Sequence, residues 1–210
     1  MPEYTAPEWH HCALITIDTQ QDTLDGQPFE IPGTTAILPR MQSLLAAFRA
    51  SGRPIVHVVR IYKADGSNVD LCRRERIETG ASLVVAGTRG SQLAAELLPS
   101  TGTSLDTDFL LDHGIQTIGP FEGVIYKPRW GAFYHTPLEE HLRRLDVSTL
   151  VFCGCNYPNC PRASIYEASE RDFRIVLVDD AISGLYDLGR KELQNIGVEL
   201  LSTEQVIAAL

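Results

Sequence analysis

Short apolar runs recur along the chain with helix-length stretches between them, and this alternation is what most constrains the fold. Residues 149–153 form one run, and residues 175–178 form the next, after a helical stretch predicted to begin at Pro161. Alternating strands and helices are typical of parallel βαβ units rather than of sandwiches or helix bundles. The other predicted strands are residues 13–17, 55–59, 124–126 and 198–201, with residues 83–86 as a further strand or a buried loop.

The length of the chain suits one such unit. Its 210 residues exceed the usual domain size of about 150 but fall within the range of α/β domains. We therefore expect a single doubly wound, Rossmann-like α/β domain over residues 1–210. Its parallel sheet is expected to have about six strands and helices on both faces.

Charge and hydropathy exclude several classes of partner. The net charge of −9 repels phosphate backbones, so we expect no nucleic acid partner. No apolar run approaches the roughly 18 residues of a membrane-spanning helix, and the first dozen residues do not resemble a secretory signal. These features favour a cytoplasmic protein that acts on a small molecule.

Polar side chains directly after the strands mark the place where chemistry is expected. Asp18 follows the first strand, Lys127 follows residues 124–126, and Cys160 lies seven residues beyond Cys153. Loops at the carboxyl ends of parallel strands form the ligand sites of open sheets. An acid, an ammonium group and a thiol are therefore predicted to meet at one edge.

Cys160 is the candidate nucleophile. With Pro161 at the first helical position, Cys160 becomes the helix N-cap, where the helix dipole favours a thiolate. Lowering a thiol pKa by about two units takes about 2.7 kcal/mol, more than a helix end usually supplies. We therefore expect Lys127 to complete the stabilisation of the thiolate.

A thiolate attacking an amide needs an oxyanion site and a proton carrier. The backbone N–H groups of Tyr157 and Cys160 are the expected oxyanion donors, because they lie near a helix start. Asp18 is expected to accept the thiol proton, to protonate the leaving amine and then to activate water.

Three segments in order resemble the isochorismatase-like cysteine hydrolase superfamily, which includes nicotinamidases, N-carbamoylsarcosine amidohydrolase, biuret hydrolases and ureidoacrylate hydrolases. The first is Asp18-Thr19-Gln20, and the last is GCNYPNCP at residues 154–161. The middle signature reads here as residues 90–99, Lys127, Ala132, Phe133, Thr136 and Leu138. The resemblance covers most of the chain and implies a catalytic triad of Asp18, Lys127 and Cys160. It also implies a homo-oligomer, either a dimer or a tetramer.

The sequence departs from the family pattern at two places. Tyr157 and Pro158 replace a Thr-Asp pair where relatives have a cis peptide, so a cis bond is expected at 156–157 or at 157–158. Nicotinamidases carry an Asp-x-His metal site after the second strand, where this chain has Arg60, Ile61 and Tyr62. We therefore predict no metal, no cofactor and no nicotinamide pocket of that kind.

Arginines near these motifs suggest an acidic substrate, because guanidinium groups bind carboxylates bidentately. The cluster Arg73, Arg74 and Arg76 lies in residues 62–89, a long stretch without clear periodicity that is expected to contact either substrate or a neighbouring subunit. The predicted substrate-binding residues are Gln20, Arg60, Arg129, Trp130, Phe133, Tyr157 and Arg162, with the aromatic residues as apolar walls.

These features predict cofactor-free cleavage of a C–N bond in a small amide, carbamoyl or ureido compound, including one that bears a carboxylate, through a Cys160 thioester. One alternative is hydrolysis of a vinyl ether, as in isochorismatase itself, which needs no covalent thiol. The other is a non-enzymatic redox or binding protein in which Cys155 and Cys160 form a reversible disulfide.

Overall fold

A central sheet organises residues 4–210, the part of the chain that the computed structural model describes. The strand order across the sheet is β3-β4-β2-β1-β5-β6-β7. The strands are β1 (Cys12–Ile17), β2 (Ile55–Val59), β3 (Ile115–Gly119), β4 (Glu122–Tyr126), β5 (Thr149–Gly154), β6 (Arg174–Ile182) and β7 (Glu199–Leu201).

Six of these strands are parallel, and β3 is an antiparallel strand at the edge beside β4. The prediction of about six parallel strands is confirmed for the parallel part, but β3 was not predicted. Its residues are only half-buried or exposed and include Gln116 and Thr117, so they form no apolar run in the sequence. An antiparallel edge strand on a mostly parallel sheet is common in this class of fold.

Helices cover both faces of the sheet, as a doubly wound fold requires. Alternate residues of β1 point to opposite faces: Ile15 packs in a cluster with α-helical residues Leu142 and Ile165, and Leu14 packs in another with Met41 and Val206. The helices are α1 (Thr34–Ser51), α2 (Leu71–Glu78), α3 (Thr107–Leu111), α4 (Leu138–Arg144), α5 (Cys160–Ser169), α6 (Asp187–Asn195) and α7 (Thr203–Ala209). Within residues 4–210, no helix combines the length and hydropathy needed to cross a membrane.

The stretch 62–89 contains a helix that the sequence did not reveal. α2 has no buried residue, and Leu71 at its start is 80% exposed. A helix without an apolar stripe gives no periodic signal. Residues 83–86 form a buried loop rather than a strand; Leu83 and Val84 are 1% exposed, and Val85 makes one isolated bridge to Tyr62.

A close approach between β1 and β5 aligns the ends of these two neighbouring strands. Gly154 has φ 116°, and a Cβ atom at this position would lie 2.4 Å from the carbonyl oxygen of Ile17. Only glycine fits such a contact at positive φ. The N–H of Cys155 then donates to the same Ile17 oxygen at 2.9 Å, which brings the segment before α5 beside Asp18.

Candidate active site

The carboxyl ends of β1, β4 and β5 bring Asp18, Lys127 and Cys160 together. Asp18 follows β1 with φ 48°, Lys127 follows β4, and Cys160 is the first residue of α5. β2 and β1 lie side by side between β4 and β5, so the three strand ends share one edge of the sheet. The structure thus places the acid, the ammonium group and the thiol at one edge, as the sequence predicted.

Asp18 and Lys127 form a buried ion pair. The Nζ atom of Lys127 lies 2.8 Å from Oδ2 of Asp18, and the lysine side chain is fully buried. Nζ also donates to the carbonyl oxygen of Arg129 at 3.3 Å. Within residues 4–210, Oδ1 of Asp18 is buried and accepts no hydrogen bond. One carboxylate oxygen is thus held by the cation, and the other is free to accept a proton.

The thiol of Cys160 faces this pair and is protonated at neutral pH. Burial and the adjacent Asp18 carboxylate raise the pKa of Cys160 to about 11, although Lys127 and Arg60 act in the opposite direction. The prediction that Lys127 lowers the pKa enough to give a resting thiolate is therefore wrong. Burial disfavours the charged form of a thiol, and the carboxylate of Asp18 compensates much of the positive charge of Lys127.

The start of α5 differs by one residue from the prediction. The N-cap is Asn159, so Cys160 occupies the first helical position and Pro161 the second. Among the described residues, the N–H of Cys160 donates to no carbonyl oxygen. It remains a free donor at a helix N-terminus, as an oxyanion site requires.

Tyr157 does not supply the second oxyanion donor. Its N–H donates to the carbonyl oxygen of Ser183 at 2.8 Å, and its hydroxyl donates to the carbonyl oxygen of Gly189 at 3.2 Å. The peptide bonds at 156–157 and 157–158 are both trans, since the described residues contain no cis peptide bond. The expected cis bond is therefore absent, and Tyr157 anchors the loop before α5 to α6 and to the turn that follows β6.

A small cavity of about 20 Å³ lies at the ends of β1, β2 and β5. Asp18, Cys155 and Cys160 contribute to its polar side, and Phe29, Ile31 and Val84 form an apolar wall. Arg60 and Arg73 also line it. This volume holds about one water molecule, so an organic substrate requires some of the lining residues to move outward.

Arg60 is the predicted substrate-binding residue that reaches this cavity with a charged group. Its side chain is 3% exposed and pairs with Asp70 at 2.6 Å. Nη1 also donates to the carbonyl oxygen of Pro128, and Nη2 donates to that of Arg129. Its Nε atom is buried and has no partner among residues 4–210.

Gln20 lines the cavity, but its side-chain amide is occupied by backbone groups. Nε2 donates to the carbonyl oxygens of Arg60 and Ser91 at 2.9 and 2.7 Å, and Oε1 accepts the N–H of Arg60 at 2.9 Å. Gln20 therefore positions the loop that carries Arg60, and the predicted contact with substrate is not available to these atoms.

The remaining predicted substrate-binding residues lie outside the cavity. Phe133 packs in the core against Phe173, and Tyr157 is fully buried. Arg129 is half-exposed in a neighbouring groove, and Arg162 pairs with Glu192 at 2.8 Å on the surface. These side chains lie near the motifs in sequence, but strand and helix geometry directs them elsewhere.

Trp130 contributes indirectly, because its ring supports the two arginines. The guanidinium carbons of Arg60 and Arg73 lie 5.9 and 4.6 Å from its ring centroid. Sequence reasoning missed Phe29 as a cavity residue, whereas Arg73 belongs to the arginine cluster that was expected to contact either substrate or a neighbouring subunit. Phe29 belongs to no periodic segment, and for Arg73 the arginine cluster was the available signal.

None of the cysteines forms a disulfide bond within the described residues. All five are free thiols, and Cys155 is fully buried with Sγ donating to the backbone oxygen of Asp18 at 3.0 Å. Burial raises the pKa of this thiol beyond that of Cys160. Within the described residues, no group of three or more His, Cys, Asp or Glu side chains is placed to hold a metal ion.

Comparison with known proteins gives consistent matches. The family model described as "Isochorismatase domain" matches residues 12–205. A probable inactive nicotinamidase of Arabidopsis thaliana is 26% identical over 201 residues, covering 92% of this chain and 93% of that protein. An N-carbamoylsarcosine amidase of an Arthrobacter species is 27% identical over 205 residues, covering 94% of this chain and 70% of that protein. The crystal structure of an isochorismatase family protein from Desulfovibrio vulgaris has a TM-score of 0.79 and 32% identity, covering 94% and 98% of the two chains.

Proposed function

The chain belongs to the isochorismatase family of hydrolases, and on that basis we propose that it cleaves a C–N bond of a small amide, carbamoyl or ureido compound through a Cys160 thioester. The observation that carries the proposal is that Asp18 and Cys160 line one cavity while the buried Lys127 pairs with Asp18. The N-carbamoylsarcosine amidase among the relatives supports a carbamoyl or amide substrate.

The first step transfers the thiol proton to Asp18 as sulfur attacks the substrate. The proton of Cys160 moves to the free Oδ1 of Asp18, and Sγ forms a bond to the carbonyl carbon. The carbonyl oxygen becomes an oxyanion, which accepts the N–H of Cys160 at the start of α5. Because the resting thiol is neutral, ionisation and attack are coupled, and the charge of Lys127 stabilises the negative charge that remains in the site.

The second step expels the amine. As the C–N bond breaks, Asp18 returns its proton to the leaving nitrogen, and a thioester to Cys160 remains. Asp18 then removes a proton from water, whose oxygen attacks the thioester carbon. As the C–S bond breaks, Asp18 returns this proton to Sγ, which releases the acid and restores the thiol, so atoms and protons balance over the cycle.

The burial of the site supports this chemistry. Lys127 is fully buried and Cys160 is 5% exposed, so little bulk water screens the ion pair. Electrostatic interactions are stronger in such an environment than in water. Enclosure also limits the access of water to the thioester while the amine is still bound.

The experiment measures ammonia release from a panel of small amides, ureas and carbamoyl compounds. Cys160→Ala is expected to lower kcat by about 10³-fold or more, as removal of a nucleophile does. Cys72→Ala removes an exposed thiol outside the cavity and is the matched control. Acid quenching of wild-type turnover followed by peptide mass spectrometry is expected to find the acyl group on Cys160.

Three results would count against the proposal. Full activity in Cys160→Ala would favour a route without a covalent thiol, such as vinyl ether hydrolysis. An acyl adduct on another cysteine would assign the nucleophile elsewhere. A folded protein that releases no ammonia from the panel, and that gains a Cys155–Cys160 disulfide under mild peroxide, would favour a redox protein.

A further inference from the structure

The part of the cavity that Arg60 and Arg73 line has more positive than negative charge. Arg60 and Arg73 lie beside Asp70, whose side chain is 3% exposed. Nη1 of Arg60 is 2.6 Å from Oδ2 of Asp70, and Nη1 of Arg73 is 3.6 Å from the same oxygen. Asp18 is already paired with Lys127. Arg60, Arg73 and Lys127 are thus three cations against the carboxylates of Asp18 and Asp70, and Arg129 lies 4.0 Å from Asp70 as well, so positive charge is in excess.

Arg73 is held in place but is sparsely hydrogen-bonded. Its guanidinium carbon lies 4.8 Å from the ring centroid of Phe29 and 4.6 Å from that of Trp130, so aromatic rings fix its position. Among residues 4–210 its one hydrogen bond runs from Nη1 to the hydroxyl of Tyr62, at 2.9 Å. A guanidinium group has five N–H donors, so most of those on Arg73 are available to a ligand.

Arg60, which also lines the cavity, adds a buried donor. Its Nε atom has no partner within the described residues, although the side chain is only 3% exposed. A buried donor without a partner costs about 1 to 3 kcal/mol, which a ligand oxygen would offset. A carboxylate is an acceptor at both oxygens, so it suits two neighbouring guanidinium groups.

We propose that Arg73, together with the Nε of Arg60, binds a carboxylate of the substrate, so that the preferred substrates are small acids with an amide or carbamoyl group at the other end. This inference rests on the proposed function for the identity of the reacting end. Phe29, Ile31 and Val84 then cover the short apolar link between the two ends. A neutral substrate would displace water and leave the uncompensated cation buried, which is unfavourable.

Entry of such an acid requires the cavity to widen, and α2 is the element that we expect to shift. The cavity volume of about 20 Å³ is too small for a carboxylate, and Arg73 is the residue that α2 contributes to it. α2 has no buried residue, so its displacement exposes little apolar surface. Binding of the acid then holds α2 closed through Arg73.

The first test compares two alkylating reagents of similar shape, iodoacetate and iodoacetamide, at Cys160 of the intact protein. The rate at Cys160 is followed by peptide mass spectrometry and divided by the rate of a free cysteine peptide with the same reagent. We expect the normalised rate to favour the anionic reagent by about tenfold or more, because charge-assisted hydrogen bonds are strong. Arg73→Met should lower this preference to about one.

Arg74→Met is the matched control, because Arg74 lies on the same helix and is exposed outside the cavity. It should keep the preference of the wild type. A preference near one in the wild type, or an equal preference in Arg73→Met, would overturn the proposal. So would complete resistance of Cys160 to both reagents, because the cavity would then admit no small acid. Arg73→Lys and far-UV circular dichroism check that a loss reflects charge rather than unfolding.

The second test compares turnover of acid and neutral partners, ureidoacetate with isobutylurea and succinamate with 4-methylpentanamide. We expect the acids to have the higher kcat/KM, and Arg73→Met to raise their KM while the neutral compounds change less than twofold. Equal turnover of both members of each pair would remove this inference and leave the proposed function in place. Absence of turnover with an intact iodoacetate preference would remove the proposed function and leave the acid site.

Discussion

The side-chain amide of Gln20 hydrogen-bonds both the backbone N–H and the backbone carbonyl of Arg60, which lies 40 residues further along the chain. A third bond, to the carbonyl of Ser91, ties in the loop beyond α2. Beyond the ends of β1 and β2, one buried side chain thus takes the place of the backbone hydrogen bonds that join the two strands. The guanidinium group of Arg60 is placed at the cavity by this contact.

The first prediction concerns that contact. Gln20→Leu leaves three buried backbone groups without partners, so we expect the free energy of unfolding to fall by about 3 kcal/mol in urea titrations. Gln21→Leu is the control, because Gln21 is partly exposed and makes one side-chain bond, to Leu93 at 3.2 Å. Equal losses in the two variants would show that the Gln20 bonds do not stabilise this region.

The second prediction concerns the buried ion pair. Lys127→Met leaves the carboxylate of Asp18 buried without its cation, and we expect a loss of about 3 to 5 kcal/mol in stability. Adding Asp18→Asn removes that charge, so the double variant should be more stable than Lys127→Met alone. A double variant that is less stable would contradict the pairing. Turnover should be lost in both variants.

The third prediction concerns the thiol. Since the pKa of Cys160 is raised to about 11 from 9.0, its rate of alkylation by iodoacetamide should keep rising above pH 9, where a free cysteine peptide levels off. Asp18→Asn removes a negative charge that raises this pKa, so its profile should level off at lower pH. A wild-type profile that levels off near pH 7 would instead indicate a resting thiolate.

The fourth prediction concerns the acid stability of the protein and the carboxylate of Glu122, the first residue of β4. Burial alone would raise the pKa of Glu122, but hydrogen bonds from Arg49 and His57 outweigh it and lower the pKa from 4.5 to about 2. A depressed pKa contributes stability above about pH 4.5 that is lost as pH falls toward 2. The wild type should therefore lose about 3 kcal/mol more than Glu122→Gln over that interval.

Glu96→Gln is the control for the acid titration, because Glu96 is exposed on the surface. Its unfolding free energy should follow that of the wild type at every pH. If Glu122→Gln followed the wild type as well, the hydrogen bonds to Arg49 and His57 would not account for the acid sensitivity.

Much of the fold was predictable because its strands are buried on both faces. β1, β2 and β5 are fully buried and appear in the sequence as mostly apolar runs, with single polar residues such as His57 in β2. β3 and α2 were missed because neither has a continuous buried surface. Periodicity detects burial, so elements without it give no signal.

The sequence by itself determined the order of the strands and helices, and with it the grouping of Asp18, Lys127 and Cys160, because parallel strands bring their carboxyl ends to one edge. The tertiary structure alone decided which side chains face the cavity and what state the thiol has. Tyr157 and Phe133 turn into the core, Arg73 turns inward from a polar helix, and burial beside Asp18 keeps the thiol protonated. Direction and desolvation depend on neighbours distant in sequence, so local pattern does not contain them.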